Sequence, residues 1–261
     1  MPRRPNSLTL LPYGRVQSPF VSVMIPAYRE EEHIANTIKD VITSLRENRF
    51  QFEVIVVLDS VPGDRTGLII HALCERFPEL RLIERSGKRG IGDSVSTGIK
   101  ARKGSIFVLV MGDHSESADD LVRLVNTIMR GYDIAFGERF KHGKPHGYPL
   151  LKYIANRCCN YLIRLLFRVP SLDTTNAFKA YNARVLDQLD LSSKGFEIFV
   201  EMPLKVFLRI PNIRIVNIPV QHFVGKKREA KLSLLKEGPN YIRMILSLLV
   251  YDKIRKACQN L

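Results

Sequence analysis

At about 150 residues per domain, a chain of 261 residues makes one large domain or two small ones, and 45% hydrophobic against 25% charged side chains exclude wholesale disorder, a collagen-like repeat and a disulfide scaffold. The formal charge of +14 is unevenly placed: residues 1–138 carry 18 basic and 18 acidic side chains while residues 139–261 carry 22 and 8, so the whole excess lies in the second half. A basic half joined to a neutral half points to an anionic partner (nucleic acid, a phosphorylated substrate or an acidic membrane surface), with plain solubility as the bland alternative.

The first half alternates strands and helices. Residues 20–26 and 52–58 are short β-branched runs, and between them Ile34, Ile38, Val41, Ile42 and Leu45 recur at helical spacing within a charged segment. A helix near 64–76, a strand at 80–84, a helix near 91–102 and an apolar strand at 106–111 follow. This pattern predicts βαβ units: an α/β fold with a mostly parallel central sheet covered by helices on both faces. Ligands of such sheets bind beyond the carboxyl ends of the strands.

After residue 138 the pattern changes. Residues 141–149 form a basic loop rich in Gly and Pro, expected to act as a mobile flap. Leu151, Ile154, Cys158, Tyr161, Leu162 and Leu165 then recur at three- and four-residue steps, with Arg157, Arg164 and Arg168 on the other side of the same basic amphipathic helix. Residues 241–251 are apolar over most of the helix circumference and are followed by Lys253, Arg255 and Lys256. Both helices suit a membrane interface, and both equally suit packing on the sheet. No apolar stretch reaches the ~18 residues of a membrane span and no signal segment is evident, so the chain is expected to be neither secreted nor spanning. The four cysteines, Cys74, Cys158, Cys159 and Cys258, lack metal-type spacing and read as reduced thiols of a cytoplasmic protein.

Acidic residues cluster at strand ends: Glu30 to Glu32 after the first, Asp59 at the end of the second, and Asp113 and Glu116 after the fourth. Carboxylates around one rim repel unless a cation or a hydrogen-bonding ligand offsets them. A cation carrying phosphate oxygens would do so, and Mg2+ commonly takes only one or two protein carboxylates, which fits a site built around Asp113. Lys88-Arg89-Gly90-Ile91-Gly92 offers backbone N–H groups and positive charge to an anion at a helix start, yet matches neither the dinucleotide nor the P-loop fingerprint. His114 beside the acidic cluster reads more readily as structural than as a ligand.

Taken together, Pro26-Ala27-Tyr28-x-Glu30, the Asp59 strand end, Lys88 to Gly92 with Gly98, the apolar strand entering Gly112-Asp113, Gly137-Glu138-Arg139-Phe140 and Asp173-Thr-Thr-Asn176-Ala-Phe178-Lys179 resemble family 2 glycosyltransferases, in particular dolichol- and polyprenyl-phosphate mannose and glucose synthases. The likeness covers residues 20–236 and implies a GT-A fold and inverting transfer of a hexose from a GDP- or UDP-sugar. It divides the chain into an extension at 1–19, a domain at 20–236 and a basic amphipathic helix at 237–261. Within the domain, 20–138 would bind the nucleotide sugar and 139–236 would face the acceptor. Carried over by position, Pro26, Ala27, Tyr28, Glu30, Val57, Asp59, Lys88, Gly90 and Gly112 would hold the nucleotide. Asp113, with Ser115 and Glu116 as helpers, would bind Mg2+ or Mn2+, and Arg139, Lys179 and Lys231 would meet phosphate groups of donor or acceptor. The first Asp of the family's Asp-x-Asp falls on Met111, the paired Asp of the second strand on Leu58-Asp59, the usual Asn before Glu30 on Arg29, and the usual Gly-Phe-Arg on Ala177-Phe178-Lys179.

A polyprenyl-phosphate acceptor is already an anion and needs no general base. A hydroxyl of a glycan or glycolipid would need a carboxylate such as Asp173, which reads equally well as a turn cap. The leading expectation is therefore metal-dependent transfer to a polyprenyl phosphate or other lipid-linked acceptor by a cytoplasmic protein resting peripherally on an anionic membrane. A nucleic-acid-binding protein is the alternative from another class, disfavoured by the absence of Trp and of any recognised binding motif. A family member that has lost catalysis, suggested by Met111, is the third.

Overall fold

The computed structural model describes residues 20–86, 90–224 and 234–259. In chain order the elements are β1 (Phe20–Ala27), α1 (Ile34–Glu47), β2 (Gln51–Ser60), α2 (Thr66–Cys74), β3 (Leu80–Ser86), α3 (Ile91–Ala101), β4 (Ile106–Leu109), α4 (Ala118–Met129), β5 (Ile134–Glu138), α5 (Leu150–Phe167), β6 (Lys179–Asn182), α6 (Ala183–Leu186), α7 (Ile198–Arg209), β7 (Ile215–Pro219) and α8 (Leu234–Gln259). The α/β alternation expected from the first half is present, with the fourth strand ending at Leu109, two residues before the expected end.

The sheet runs β3-β2-β1-β4-β6-β5-β7. It is parallel except at β6, which pairs antiparallel with both β4 and β5. Side chains alternate across a strand, so Val21, Val23 and Ile25 of β1 pack under α1, α2 and α4, while Met24, with Ile55 and Val57 of β2, packs under α3 and α7. Both sheet faces are covered, which is why the central strands read as continuous apolar runs. The chain builds β2 and β3 to one side of β1 and then crosses to β4 on the other, so the crevice of the fold opens beyond the carboxyl ends of β1 and β4.

A third apolar cluster lies outside the sheet, where Ile163 and Phe167 of α5 and Met244, Ile245 and Leu248 of α8 pack on Val200, Leu204 and Leu208 of α7. The two amphipathic helices thus pack on α7 and on each other, and α8 begins at Leu234, ahead of the boundary expected at 237. The stripe of α5 that the spacing marks as apolar is turned outward: Leu151 is 75% and Leu165 77% exposed, with Ile154, Tyr161 and Leu162 also exposed. The reason lies on the other side of the helix. Lys152 and Asn156 face the crevice, and Asn160, four residues further along, is buried behind it, its amide donating to Thr175 Oγ1 at 2.8 Å and accepting from Thr175 N at 3.1 Å. Among the described residues no helix is long and apolar enough to cross a membrane.

Candidate active site

A cavity of about 420 Å3 occupies the crevice. On one side β1 and β2 end in Pro26, Ala27, Tyr28, Glu30 and Asp59, joined by Gly90, Ile91 and Ser94 at the start of α3. Asp59 is buried and bound to its own surroundings: its carboxylate accepts from Arg85 Nε at 2.9 Å, from a second Arg85 nitrogen, and from Gly90 N at 3.3 Å. It therefore fixes the start of α3 against β2. Gly90, at φ +100°, occupies backbone space that favours glycine, and a Cβ there would stand 2.4 Å from Lys194 O.

Met111, Asp113, Ser115 and Glu116 form the floor. Asp113 Oδ1 accepts from Ser115 N at 3.0 Å, and Glu116 Oε2 from Met111 N at 3.2 Å, which curls the acidic turn after β4 into one compact unit. A bridge between Glu116 and His222, with Phe223 N donating to Ser115 O at 2.9 Å, lays the segment after β7 over this turn. His222 thereby enters the cavity wall. Burial pushes its imidazole down to about 4, with the Arg139 charge acting the same way and Asp113 and Asp173 opposing. Carboxylate oxygens suit Mg2+ or Mn2+, whereas the Met111 thioether does not. Among the described residues no group of three His, Cys, Asp or Glu side chains is placed to hold a metal ion. A cation at this floor would rest on one or two protein carboxylates and be completed by phosphate oxygens.

The opposite wall is cationic. Arg139, just after β5, donates from N and Nε to Asp173 Oδ2 at 2.8 and 3.0 Å, and from a terminal nitrogen to Oδ1 at 2.8 Å. Burial works against the guanidinium charge, but Asp173 more than offsets it and holds Arg139 above its ordinary value. Lys152 and Asn156 of α5 and Thr175 complete this wall. Within the loop expected as a mobile flap, Tyr148 is buried, its ring edge-on to Phe140 at 5.5 Å and to His222 at 5.8 Å, and Lys144 Nζ donates to Tyr148 O at 2.9 Å. Phe196, Phe199, Glu237 and Tyr241 close the remaining side.

Of the residues singled out from the sequence, Pro26, Ala27, Tyr28, Glu30, Asp59, Gly90, Asp113, Ser115, Glu116 and Arg139 come together around the cavity. Gly112 lies just behind it, where a Cβ would stand 3.0 Å from Pro26 O. Three residues lie elsewhere. Val57 lies on the same face of β2 as Asp59 but two residues deeper, buried against α3 in the core. Asp173 is fully buried beneath Arg139, with its carboxylate engaged there rather than facing the cavity. Lys179 is buried in the core, its ammonium donating to Asn176 O and, at 3.0 Å, to Phe199 O above the Phe136 ring, so it does not reach a phosphate position. Lys88 and Lys231 lie outside the described residues. Sequence reasoning missed His222, Tyr148, Lys152, Asn156, Phe196, Glu237 and Tyr241. The one available signal was the polar stripe Lys152-Asn156-Asn160 opposite the apolar one.

Residues 22–190 match the family model described as Glycosyl transferase family 2. The chain is 26% identical to a dolichol-phosphate mannosyltransferase of Pyrococcus furiosus over 89% of this chain and 64% of that protein. It is 29% identical to a polyprenol monophosphomannose synthase of Mycolicibacterium smegmatis over 67% of each. It thus spans just under two thirds of the first of these relatives. Among solved structures, glucosyl-3-phosphoglycerate synthase of Mycobacterium tuberculosis in complex with UDP shares the fold, with a TM-score of 0.67 at 17% identity over 88% of this chain and 80% of that one. The same enzyme crystallised with Mn2+, UDP-glucose and phosphoglyceric acid aligns with a TM-score of 0.66 at 19% identity, covering 88% of this chain and 80% of that one.

Proposed function

Because this chain belongs to glycosyl transferase family 2, and so is a hexosyltransferase, we propose that it moves the hexose of a nucleotide sugar onto a polyprenyl phosphate at a membrane surface, with inversion at the anomeric carbon. The observation that carries this reading is the division of the cavity into an acidic floor at Asp113 and Glu116 and a cationic wall at Arg139 and Lys152, beside helices whose outer faces are apolar. The named relatives, a dolichol-phosphate mannosyltransferase and a polyprenol monophosphomannose synthase, agree with it.

The nucleoside lies against Pro26 to Tyr28 and Asp59, and the diphosphate reaches the floor. Asp113, helped by Glu116, would hold Mg2+ or Mn2+. That cation would supply positive charge to the departing diphosphate, where charge stabilisation weighs most. Asp173 grips Arg139 through Nε and one terminal nitrogen, which holds the other terminal nitrogen in a fixed orientation toward an incoming phosphate. A phosphate nucleophile is already anionic. Asp173, fully engaged by Arg139, therefore serves as a positioning group rather than as a general base.

Exposed Leu151, Ile154, Tyr161, Leu162 and Leu165 on α5 and Ile242, Leu246 and Val250 on α8 supply apolar area for an interfacial helix pair. Arg164 on α5 and Arg168 just after it, both exposed, add attraction to anionic lipid. The experiment incubates the protein with Mn2+ and vesicles containing polyprenyl phosphate, with UDP-glucose and GDP-mannose in turn. One donor is expected to label the lipid phosphate, and Asp113→Ala to abolish labelling while leaving the melting temperature unchanged. Turnover by Asp113→Ala at the wild-type rate, or no lipid product from either donor, contradicts the reading.

A further inference from the structure

We propose that the Tyr148 hydroxyl donates to a non-bridging oxygen of the incoming lipid phosphate and so holds it beside Arg139; this rests on the polyprenyl-phosphate reading above. Tyr148 is buried and lines the cavity on the same wall as Arg139, Lys152 and Asn156. Its place is set from several sides. The ring meets Phe140 and His222 edge-on, and Lys152 Nζ lies 5.7 Å over its face. Its backbone accepts from Lys144 Nζ at 2.9 Å and donates to Pro145 O at 3.1 Å. The hydroxyl is therefore fixed before anything binds.

Its neighbours orient its proton. Lys152 O can only accept, so the Asn156 amide turns Nδ2 toward it at 3.0 Å, and the second N–H of that nitrogen reaches Tyr148 Oη at 2.9 Å. Asn156 Oδ1, on the other side, accepts from Thr175 Oγ1 at 3.3 Å, and Thr175 Oγ1 accepts from Asn160 Nδ2 at 2.8 Å. Tyr148 Oη is thus the acceptor in its contact with α5, and among the described residues no group accepts its own proton. Burial keeps that proton on, pushing the phenol above its ordinary value, with Arg139 opposing and Asp173 reinforcing. A buried donor left unmet is costly, and the cavity is the space in which this one can be met.

The chemistry of the ligand follows from the same wall. Arg139 and Lys152 call for an anion, and the oxygens of a phosphate accept strongly from charged and neutral donors alike. Asp173 keeps Nε and one terminal nitrogen of Arg139, so the other terminal nitrogen and the Tyr148 hydroxyl are two donors for two oxygens of one phosphate. The third oxygen attacks. It forms the bond to the anomeric carbon as the bond from that carbon to the diphosphate breaks, and the electron pair leaves with the diphosphate. Tyr148 keeps its proton throughout.

The test is steady-state transfer by the wild type and Tyr148→Phe to vesicles carrying polyprenyl phosphate, with Mn2+ and whichever of UDP-glucose and GDP-mannose the wild type uses. The variant keeps the ring and loses only the hydroxyl. Its kcat/KM for the lipid phosphate is expected to fall roughly ten- to a hundredfold, the size of a hydrogen bond to a charged group. Calorimetric affinity for the parent diphosphate stays within about twofold, which also certifies that the variant folds. Sedimentation with vesicles free of polyprenyl phosphate stays as in the wild type, which separates the phosphate contact from membrane attachment. Asn156→Leu leaves Tyr148 whole but removes the N–H that orients it. It is expected to lose severalfold in the same kcat/KM, and it decides alone should Tyr148→Phe fail to fold. The assignment is overturned by a wild-type kcat/KM in the deciding variant. Equal losses of lipid kcat/KM and diphosphate affinity, or a loss that plain vesicle sedimentation shares, overturn it as well. A wild type that labels no lipid phosphate sinks the acceptor reading itself, and the assignment with it.

Discussion

Arg139 and Asp173 show how one ion pair joins stability to function. Asp173 is 0% exposed and Arg139 supplies its counter-charge through both fork nitrogens and the backbone. Arg139→Ala strands a buried carboxylate, so urea denaturation is expected to show a loss of about 3–5 kcal/mol along with lost transfer. Arg139→Lys keeps the charge but not the fork and is expected to fold while losing kcat/KM. Lys179 poses a different problem. Burial pushes its ammonium down to about 7 from the ordinary 10.5, with Asp173 resisting and Arg139 reinforcing the shift. The unfolded chain then holds a proton that the folded chain lacks between those two values, so stability rises with pH from about 7 to 10.5. Lys179→Gln, which keeps N–H donors for the two carbonyls, is expected to flatten that rise in denaturation midpoints, and an undiminished slope would contradict the shift.

At the scale of elements, α5 carries the clearest consequence. Its polar stripe meets the cavity, and its apolar stripe is left outside. Replacing Leu151, Leu162 and Leu165 by Ser removes apolar area that no core residue covers. It is expected to release the protein from anionic vesicles with little change in melting temperature. Arg164→Glu with Arg168→Glu is expected to weaken sedimentation with vesicles as well, at about 1 kcal/mol for each basic residue removed near the surface. Unaltered sedimentation in both cases would show that this face meets something other than lipid. The α3 start and the 193–197 loop form a second coupled pair: Gly92 has no room for a Cβ, which would stand 2.1 Å from Ser193 O. That close approach holds the loop bearing Phe196 beside the cavity.

For the whole molecule, the sheet order sets where chemistry happens. Turning from β2 and β3 to β4 opens the crevice at β1 and β4, and the antiparallel β6 inserts Asn176 and the chain leading to it beneath the cationic wall. Donor binding in this crevice stabilises the native state by mass action, about 2.7 kcal/mol at a hundred times Kd. For a domain of this size that raises Tm by roughly 5–10 °C. Thermal melts with UDP-glucose or GDP-mannose and Mn2+ are expected to show it for one nucleotide, and flat melts with both would oppose a donor site here.

Much of this was legible from local pattern. The β-branched runs, the apolar spacing of α1 and the acidic residues after β1, β2 and β4 determined an α/β sheet with a carboxylate rim, because strand and helix periods are properties of consecutive residues. The family motifs located Tyr28, Asp113 and Arg139 on one crevice for the same reason. What only tertiary structure decided depends on partners far apart in sequence. Asp173 and Lys179 read as site residues until their burial under Arg139 and Phe199 withdrew them from the cavity. His222 and Glu237 read as ordinary until β7 and α8 brought them to it. The outward turn of the α5 stripe was decided by competition between its two faces, since a polar cavity outbid the apolar core for the side bearing Asn156 and Asn160.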